Sequence, residues 1–255
     1  MALWEKMRWS LAQRGFLGTV RAVPAALTRR HRTQPQHPFD QRYGTDTSGL
    51  IGGADLASGH PHDPYITGYA GVPPSRFAAA LDQWRGTVGE VKIEDYTFID
   101  LGCGKGRAVL LASRLPFREV LGIELNPRLA ATAQSNVERW QNVDEARSPI
   151  RIIVGDASEP DLGGGPVLLF LYNAFAEPLV CCLADNIARS HHSERIDLIY
   201  QNAYHADIFT RQFGFSEPWR AELPLSPEDA AADPVASAHD ITVLLRVDAD
   251  GQTSV

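Results

Sequence analysis

Three carboxylates and three glycines carry the chemistry that can be read first from this sequence. The segment Phe98-Ile99-Asp100-Leu101-Gly102-Cys103-Gly104-Lys105-Gly106 sets an acid near the end of a short apolar run, with glycines at alternate positions after it. Glycines placed this way let a backbone turn tightly and approach a ligand closely. Many such loops cradle a pyrophosphate, but two details argue against that use here. Counted from Gly102, the G-x-G-x-x-G fingerprint needs its third glycine at position 107, which is Arg107. Asp100, two residues before Gly102, would also repel a pyrophosphate. It suits a ligand that carries positive charge and no phosphate. Two further acids close later apolar runs, in Val120-Leu121-Gly122-Ile123-Glu124 and Ile152-Ile153-Val154-Gly155-Asp156. An N-cap role accounts for Asp100 or Asp156 alone, and solvation for Glu124, but the set beside a glycine loop is far more specific.

The D-x-G-x-G-x-G arrangement resembles motif I of the class I S-adenosylmethionine-dependent methyltransferases. S-adenosylmethionine has no phosphate and carries an ammonium and a sulfonium, which agrees with the charge argument. The resemblance implies that Glu124 binds the two ribose hydroxyls, since one carboxylate accepts from both at once. It implies that Asp156 accepts the adenine amino group. Tyr69, Gly102, Cys103, Gly104, Gly106, Leu125, Ala157 and Asn173 are expected to complete the cofactor site with these acids.

A fourth apolar run ends in Leu169-Phe170-Leu171-Tyr172-Asn173-Ala174-Phe175. It partly resembles the (D/N)-P-P-(Y/F) motif of amino methyltransferases, with Asn173 and Phe175 matching and Ala174 departing from it. It is also similar to the Asn-containing, Phe-rich turn of the non-SET histone lysine methyltransferases. Tyr172, Asn173 and Phe175 are therefore the expected catalytic residues, bordering an amine in preference to a hydroxyl. Asn173 as a turn former and Phe175 as core is the alternative reading. A wider resemblance, from Phe39-Asp40-Gln41-Arg42-Tyr43-Gly44-Thr45-Asp46-Thr47-Ser48-Gly49 through Tyr69 and Pro73 to about residue 205, links the chain to uncharacterised bacterial class I methyltransferases. Should the acceptor need a base, His205, Asp46, His60 and His62 are the candidates. Tyr43, Tyr65 and Tyr69 are expected to form an aromatic wall against the sulfonium. His60-Pro61-His62-Asp63 holds ligating side chains, but no second cluster at ligand spacing accompanies it, so no metal is expected. Two other functions compete: a non-catalytic binding module on the same fold, and a nicotinamide-dependent oxidoreductase.

The elements that must position these groups alternate regularly. Strands are expected over 96–101, 119–123, 150–154, 167–172 and 196–200, with helices over 105–115, 127–141 and about 176–190. Such alternation indicates a parallel sheet covered on both faces. Two more strands, over 213–221 and 241–247, flank the polar segment 224–240. The expected fold is α/β, a Rossmann-like doubly wound seven-stranded sheet, mostly parallel, its last two strands an antiparallel pair. A helix capped by Ser75 is expected to run to Trp84. Residues 1–75 read as an N-terminal helical and loop extension and 76–255 as the S-adenosylmethionine-binding domain. Residues 33–75 are rich in Pro, Gly, His and Asp and read as an ordered cap.

At 255 residues and 44% hydrophobic content the chain can bury a substantial core. The net charge of −7 is unevenly spread. Residues 1–32 hold seven Lys and Arg against the single acid Glu5, a local +6, which leaves −13 for the rest. An acidic body disfavours a nucleic-acid acceptor and leaves a small molecule or a protein. In the first 30 residues Trp4, Met7 and Leu11 share a helical face, as do Phe16, Val20 and Val23, so this basic segment can pack on its own domain or meet a membrane surface or acidic partner. An organelle transit peptide has the same Arg-rich, acid-poor character. No apolar run reaches the length of a membrane span. Three cysteines, two of them adjacent, point to a reducing, cytoplasmic setting rather than a disulfide framework.

Overall fold

Every expected strand forms in the computed structural model, which describes residues 36–89, 91–141, 145–190, 194–233 and 235–247. The basic helix expected in the first 30 residues lies outside the described residues. Everything below belongs to the unit that begins at Gln36.

The chain opens with helix α1 (Pro38–Tyr43) and two short strands, β1 (Leu50–Ile51) and β2 (Tyr69–Ala70), paired antiparallel. Helix α2 (Pro74–Arg85) leads into strand β3 (Thr97–Leu101), helix α3 (Arg107–Ala112), strand β4 (Glu119–Glu124), helix α4 (Pro127–Trp140) and strand β5 (Ile150–Val154). The second half runs through β6 (Val167–Tyr172), α5 (Glu177–Arg189), β7 (Ile196–Gln201), α6 (Ala206–Phe213), β8 (Ser216–Glu222), α7 (Pro227–Ala232) and β9 (Ile241–Val247). The seven-stranded sheet has the order β5-β4-β3-β6-β7-β9-β8, with β9 antiparallel to both of its neighbours and the other pairs parallel.

Strands β3, β6 and β7 read as continuous apolar runs because both sheet faces are covered. On one face Phe98, Phe170, Ile199 and Leu244 pack with Phe77 and Trp84 of α2, Val109 of α3 and Trp140 of α4. On the other, Ile99, Leu169, Leu198 and Val243 pack with Leu179 and Leu183 of α5 and Phe209 of α6. From β3 the chain winds outward through β4 to β5, and β6 restarts on the other side of β3. The carboxyl ends of β3 and β6 thus flank the point of reversal, where ligands bind in sheets of this kind.

Three local expectations are corrected. Ser75 does not cap α2: Pro73 stands at the N-cap and makes no side-chain bond there. Ser75 instead gives its N–H (2.7 Å) and its hydroxyl to Asp229, so the helix end is satisfied by a carboxylate from remote sequence. The polar segment 224–240 contains α7, and Phe213, expected to open the strand over 213–221, instead ends helix α6, the strand starting at Ser216.

Helix α7 and the segment after it meet the cap through a buried polar network. His37 Nδ1 accepts the Phe39 N–H, and its Nε2 lies 3.3 Å from both Asp229 and Asp233. The two carboxylates favour an imidazolium, yet the bond to Phe39 holds Nδ1 as an acceptor. The cation of the network is Arg107, which is 2% exposed. Its guanidinium reaches Asp233 at 3.1 Å, the Val72 carbonyl at 3.2 Å, the Thr47 carbonyl at 3.0 Å and the Thr47 hydroxyl at 2.8 Å. One planar side chain thereby joins α3, the cap and the C-terminal segment. Removing one partner of a buried ion pair strands the other. Arg107→Met should therefore cost about 3–5 kcal/mol in urea unfolding. Arg107→Lys should recover only part, since an ammonium cannot reproduce the planar fork. A loss below about 1 kcal/mol for Arg107→Met would contradict this account.

Candidate active site

The site grows from the end of β4. Glu124, the last residue of that strand, is 8% exposed, and its two oxygens accept the Gly104 N–H at 2.7 Å and the Asn126 N–H at 2.8 Å. The glycine loop and the turn after β4 are thus fixed by one carboxylate. Asn126 caps α4 by accepting from the Arg128 and Leu129 N–H groups, and its amide donates to the Leu56 carbonyl at 2.8 Å. That last bond brings the cap down over the cleft.

Asp100 differs in kind. It lies within β3, 4% exposed, and its carboxylate has no hydrogen-bond partner among the described residues. Burial, reinforced by the neighbouring Glu124 charge, pushes its pKa well above the usual carboxylate range. Glu124 is raised by burial too, against the pull of the backbone N–H groups it accepts. Cys103 feels both, its thiol pKa pushed well up by burial and by the two acids.

These groups border a cleft of about 830 Å³, counting the space open to solvent. Among the expected cofactor residues, Tyr69, Asp100, Gly102, Cys103, Gly104, Glu124, Leu125, Asp156 and Ala157 line it, as do the expected catalytic Tyr172 and Phe175. Two do not. Gly106 turns its Cα toward α4, where a Cβ would meet Ala133 at 3.3 Å, so its use is close helix packing. Asn173 does not line the cleft; it has left-handed backbone (φ 44°) and a buried Oδ1 with no partner among the described residues. Its carbonyl and that of Ala174 are taken by the Thr67 hydroxyl (2.7 Å) and N–H (3.0 Å).

Of the expected aromatic wall, only Tyr69 reaches the cleft. Tyr43 meets Phe39 at a tilt and Trp140 edge to face and bonds Glu145, because α1 packs against α4, and Tyr65 is 40% exposed. Tyr69 packs against Gly104 of the glycine loop and donates its hydroxyl to the Thr47 carbonyl at 2.6 Å. Asp46 forms an ion pair with Lys105 at 2.8 Å. Neither it nor His205 lines the cleft. Asp156 accepts from the Ser158 N–H (2.9 Å) and hydroxyl (2.8 Å) through Oδ1, and its Oδ2 meets His62 Nδ1 at 2.6 Å. Burial raises its pKa, but these bonds and His62 bring it below the usual value. Arg107, Asn136 and Asp233 were not singled out from the sequence. Asn136 ties the Asp46 backbone and the Lys105 carbonyl to α4 at 2.8–2.9 Å. Apart from Arg139, three residues from Asn136, their side-chain partners lie 31 to 196 positions away, beyond any local signal.

Comparison with known proteins agrees with this geometry. Residues 99–169 match the family model described as a methyltransferase domain. The chain carries a class I methyltransferase fold. Over 102 residues it is 30% identical to the ribosomal protein L11 methyltransferase of Clostridium perfringens, a match covering 40% of this chain and 30% of that relative. The small RNA methyltransferase HEN1 superposes with a TM-score of 0.50 at 13% identity, over 71% of this chain and 26% of HEN1. The methyltransferase domain of a bacterial Hen1 gives a TM-score of 0.47 at 12% identity, over 68% of this chain and 98% of that domain. At 13% identity the HEN1 superposition speaks for the fold alone. No helix among the described residues of this methyltransferase fold is long and apolar enough to cross a membrane.

The loop geometry makes one position testable. A Cβ on Gly104 (φ +56°) would lie 2.3 Å from the Tyr69 ring. Gly104→Ala should lower stability by about 1–3 kcal/mol in chemical denaturation. Adding Tyr69→Ala should remove the steric part, leaving the double variant more stable than the sum of the single changes predicts. Strict additivity would show that the ring is not what excludes the side chain.

Proposed function

We propose that the cleft binds S-adenosylmethionine and directs methyl transfer to an amine-bearing acceptor, with residues 36–75 as its cap. The carrying observation is Asp100: a buried carboxylate that faces the cleft beside a second acid and has no cation of its own. Such a pair fits a ligand that brings positive charge and hydroxyls, and it opposes a pyrophosphate. The bound donor would supply a methyl group on a sulfonium. Asp100 would hold the cationic end and Glu124 the ribose hydroxyls, using the lone pairs left beside its two backbone bonds. Asp156, with Leu125 and Ala157, would take the adenine end. Tyr69, Tyr172 and Phe175 would exclude water and orient the acceptor, which supplies most of the rate in such a displacement. The unpartnered Asn173 Oδ1 supports an amine acceptor, since it needs an N–H to accept. It would reach the site by turning toward the cleft. The acidic body favours a protein side chain or small molecule over RNA.

Proton linkage tests this reading. Asp100 and Glu124 carry raised pKa values in the free protein, so the pair keeps its protons to higher pH than ordinary carboxylates do. A cationic ligand favours the ionised forms, so its binding should release protons, and affinity should climb with pH until both groups are ionised. Calorimetry with S-adenosylmethionine in buffers of different ionisation enthalpy reads both effects. Glu124→Ala should weaken binding about 100-fold through the lost charge-assisted bonds. NAD should give no heat. Proton uptake on binding, or an unchanged isotherm for Glu124→Ala, would overturn the assignment. Labelled methyl transfer into a fractionated lysate then identifies the acceptor class.

A further inference from the structure

The pair of histidines before the cap's second strand gains in three dimensions the third ligand that it lacks in sequence. Asp156 Oδ2 lies 2.6 Å from His62 Nδ1, and the His60 and His62 rings meet edge to face at 5.0 Å between centroids. One ligating atom from each of His60, His62 and Asp156 falls within 4.8 Å of the other two, and all three residues are half-buried. We propose that His60, His62 and Asp156 form a site for a divalent first-row transition ion, zinc foremost, and that the ion competes with the adenosyl cofactor for Asp156. The competition rests on the cofactor reading above; the metal site does not.

Three observations support a built site. The loop bearing both histidines is closed by Asp63, which accepts the Ser58 N–H, the Gly59 N–H (both 2.8 Å) and the Ser58 hydroxyl (2.9 Å). Within that loop His60 Nδ1 accepts the His62 N–H at 3.2 Å, which leaves His60 Nε2 as its free ligating atom. Asp156 is oriented in turn, since Ser158 supplies both donors to Oδ1. Partners of this kind, which fix ligand orientation, are what sustain metal affinity. Two imidazoles and a carboxylate suit zinc, with water completing a tetrahedron. Zinc would draw its ligand atoms to about 3.3 Å from one another, a movement within reach of side-chain rotation. Oδ2 is the Asp156 oxygen left by Ser158, so His62, a metal and an adenine amino group all claim the same atom. An ion there would withdraw the acceptor that the adenine requires.

The test titrates chelator-treated full-length protein with zinc chloride alone, followed by calorimetry. One equivalent should bind, and His60→Ala and His62→Gln should each weaken binding at least tenfold. Cys181→Ser/Cys182→Ser should bind as the parent does. No zinc heat in the parent, or unchanged affinity in both histidine variants, would overturn the site; circular dichroism identifies any variant that fails to fold. With zinc saturating, S-adenosylmethionine affinity should fall at least tenfold in the parent and stay unchanged in His62→Gln. Undiminished cofactor affinity in the zinc-bound parent would overturn the competition. A parent that binds zinc but never S-adenosylmethionine would instead defeat the function proposed above and leave the metal site standing.

Discussion

Two buried carboxylates share one cleft with no cation between them, and the rest of the site is arranged around that imbalance. Among the described residues Asp100 has neither a donor nor a counter-ion, and Glu124 spends one bond per oxygen on backbone N–H groups. An isolated charge in such surroundings is unfavourable, so the free protein responds by holding protons. The stored cost becomes binding energy for any ligand that arrives with positive charge, because it removes the reason for protonation. Selectivity against phosphates follows without a further device. The nearby cation Arg107 does not relieve the pair, since its guanidinium is committed to Asp233, Thr47 and Val72.

That commitment links the chemistry to the architecture. A sheet of this topology opens at the carboxyl ends of β3 and β6, and an open cleft would hydrate the acids and weaken their field. The cap closes it through contacts with the elements carrying the site: Tyr69 packs against Gly104 of the glycine loop, Asn126 at the head of α4 bonds Leu56, and Arg107 at the head of α3 bonds Thr47 and Val72. Helix α7 braces the cap from the far side through Asp229. Cap, loop and C-terminal segment therefore share buried polar partners, so a change in one is expected to be felt in the cleft.

The frame of the fold is legible in the sequence; its fastenings are not. Strands β5, β6 and β9 keep the expected ends because apolar runs between turn formers leave little freedom over register. Helices α6 and α7 are short, and the pattern around them is broken by prolines and acids, so periodicity gave no signal. Tyr43 was placed at the cleft on composition alone; that α1 turns toward Trp140 depends on packing which one-dimensional patterns do not carry. The same holds for Asn173, whose carbonyl is captured by Thr67 from 106 positions away.

The three acids make the point most sharply, because in sequence they are equivalents and in the folded chain they are not. Each follows a short apolar run, and each was expected to hold a different part of one ligand. Asp156 is well provided for by Ser158 and His62 and sits below the ordinary carboxylate pKa, whereas Asp100 has no partner and sits far above it. The difference arises from what the chain brings to them: a serine two residues on and a histidine from the cap for Asp156, only apolar strand and another acid for Asp100. A ligand that satisfies Asp100 gains from relief of an unfavourable state. One that reaches Asp156 must displace or share an existing bond. On that reading affinity and specificity would be separated, the first residing at the acidic end of the cleft and the second at the end where exchange of partners is possible.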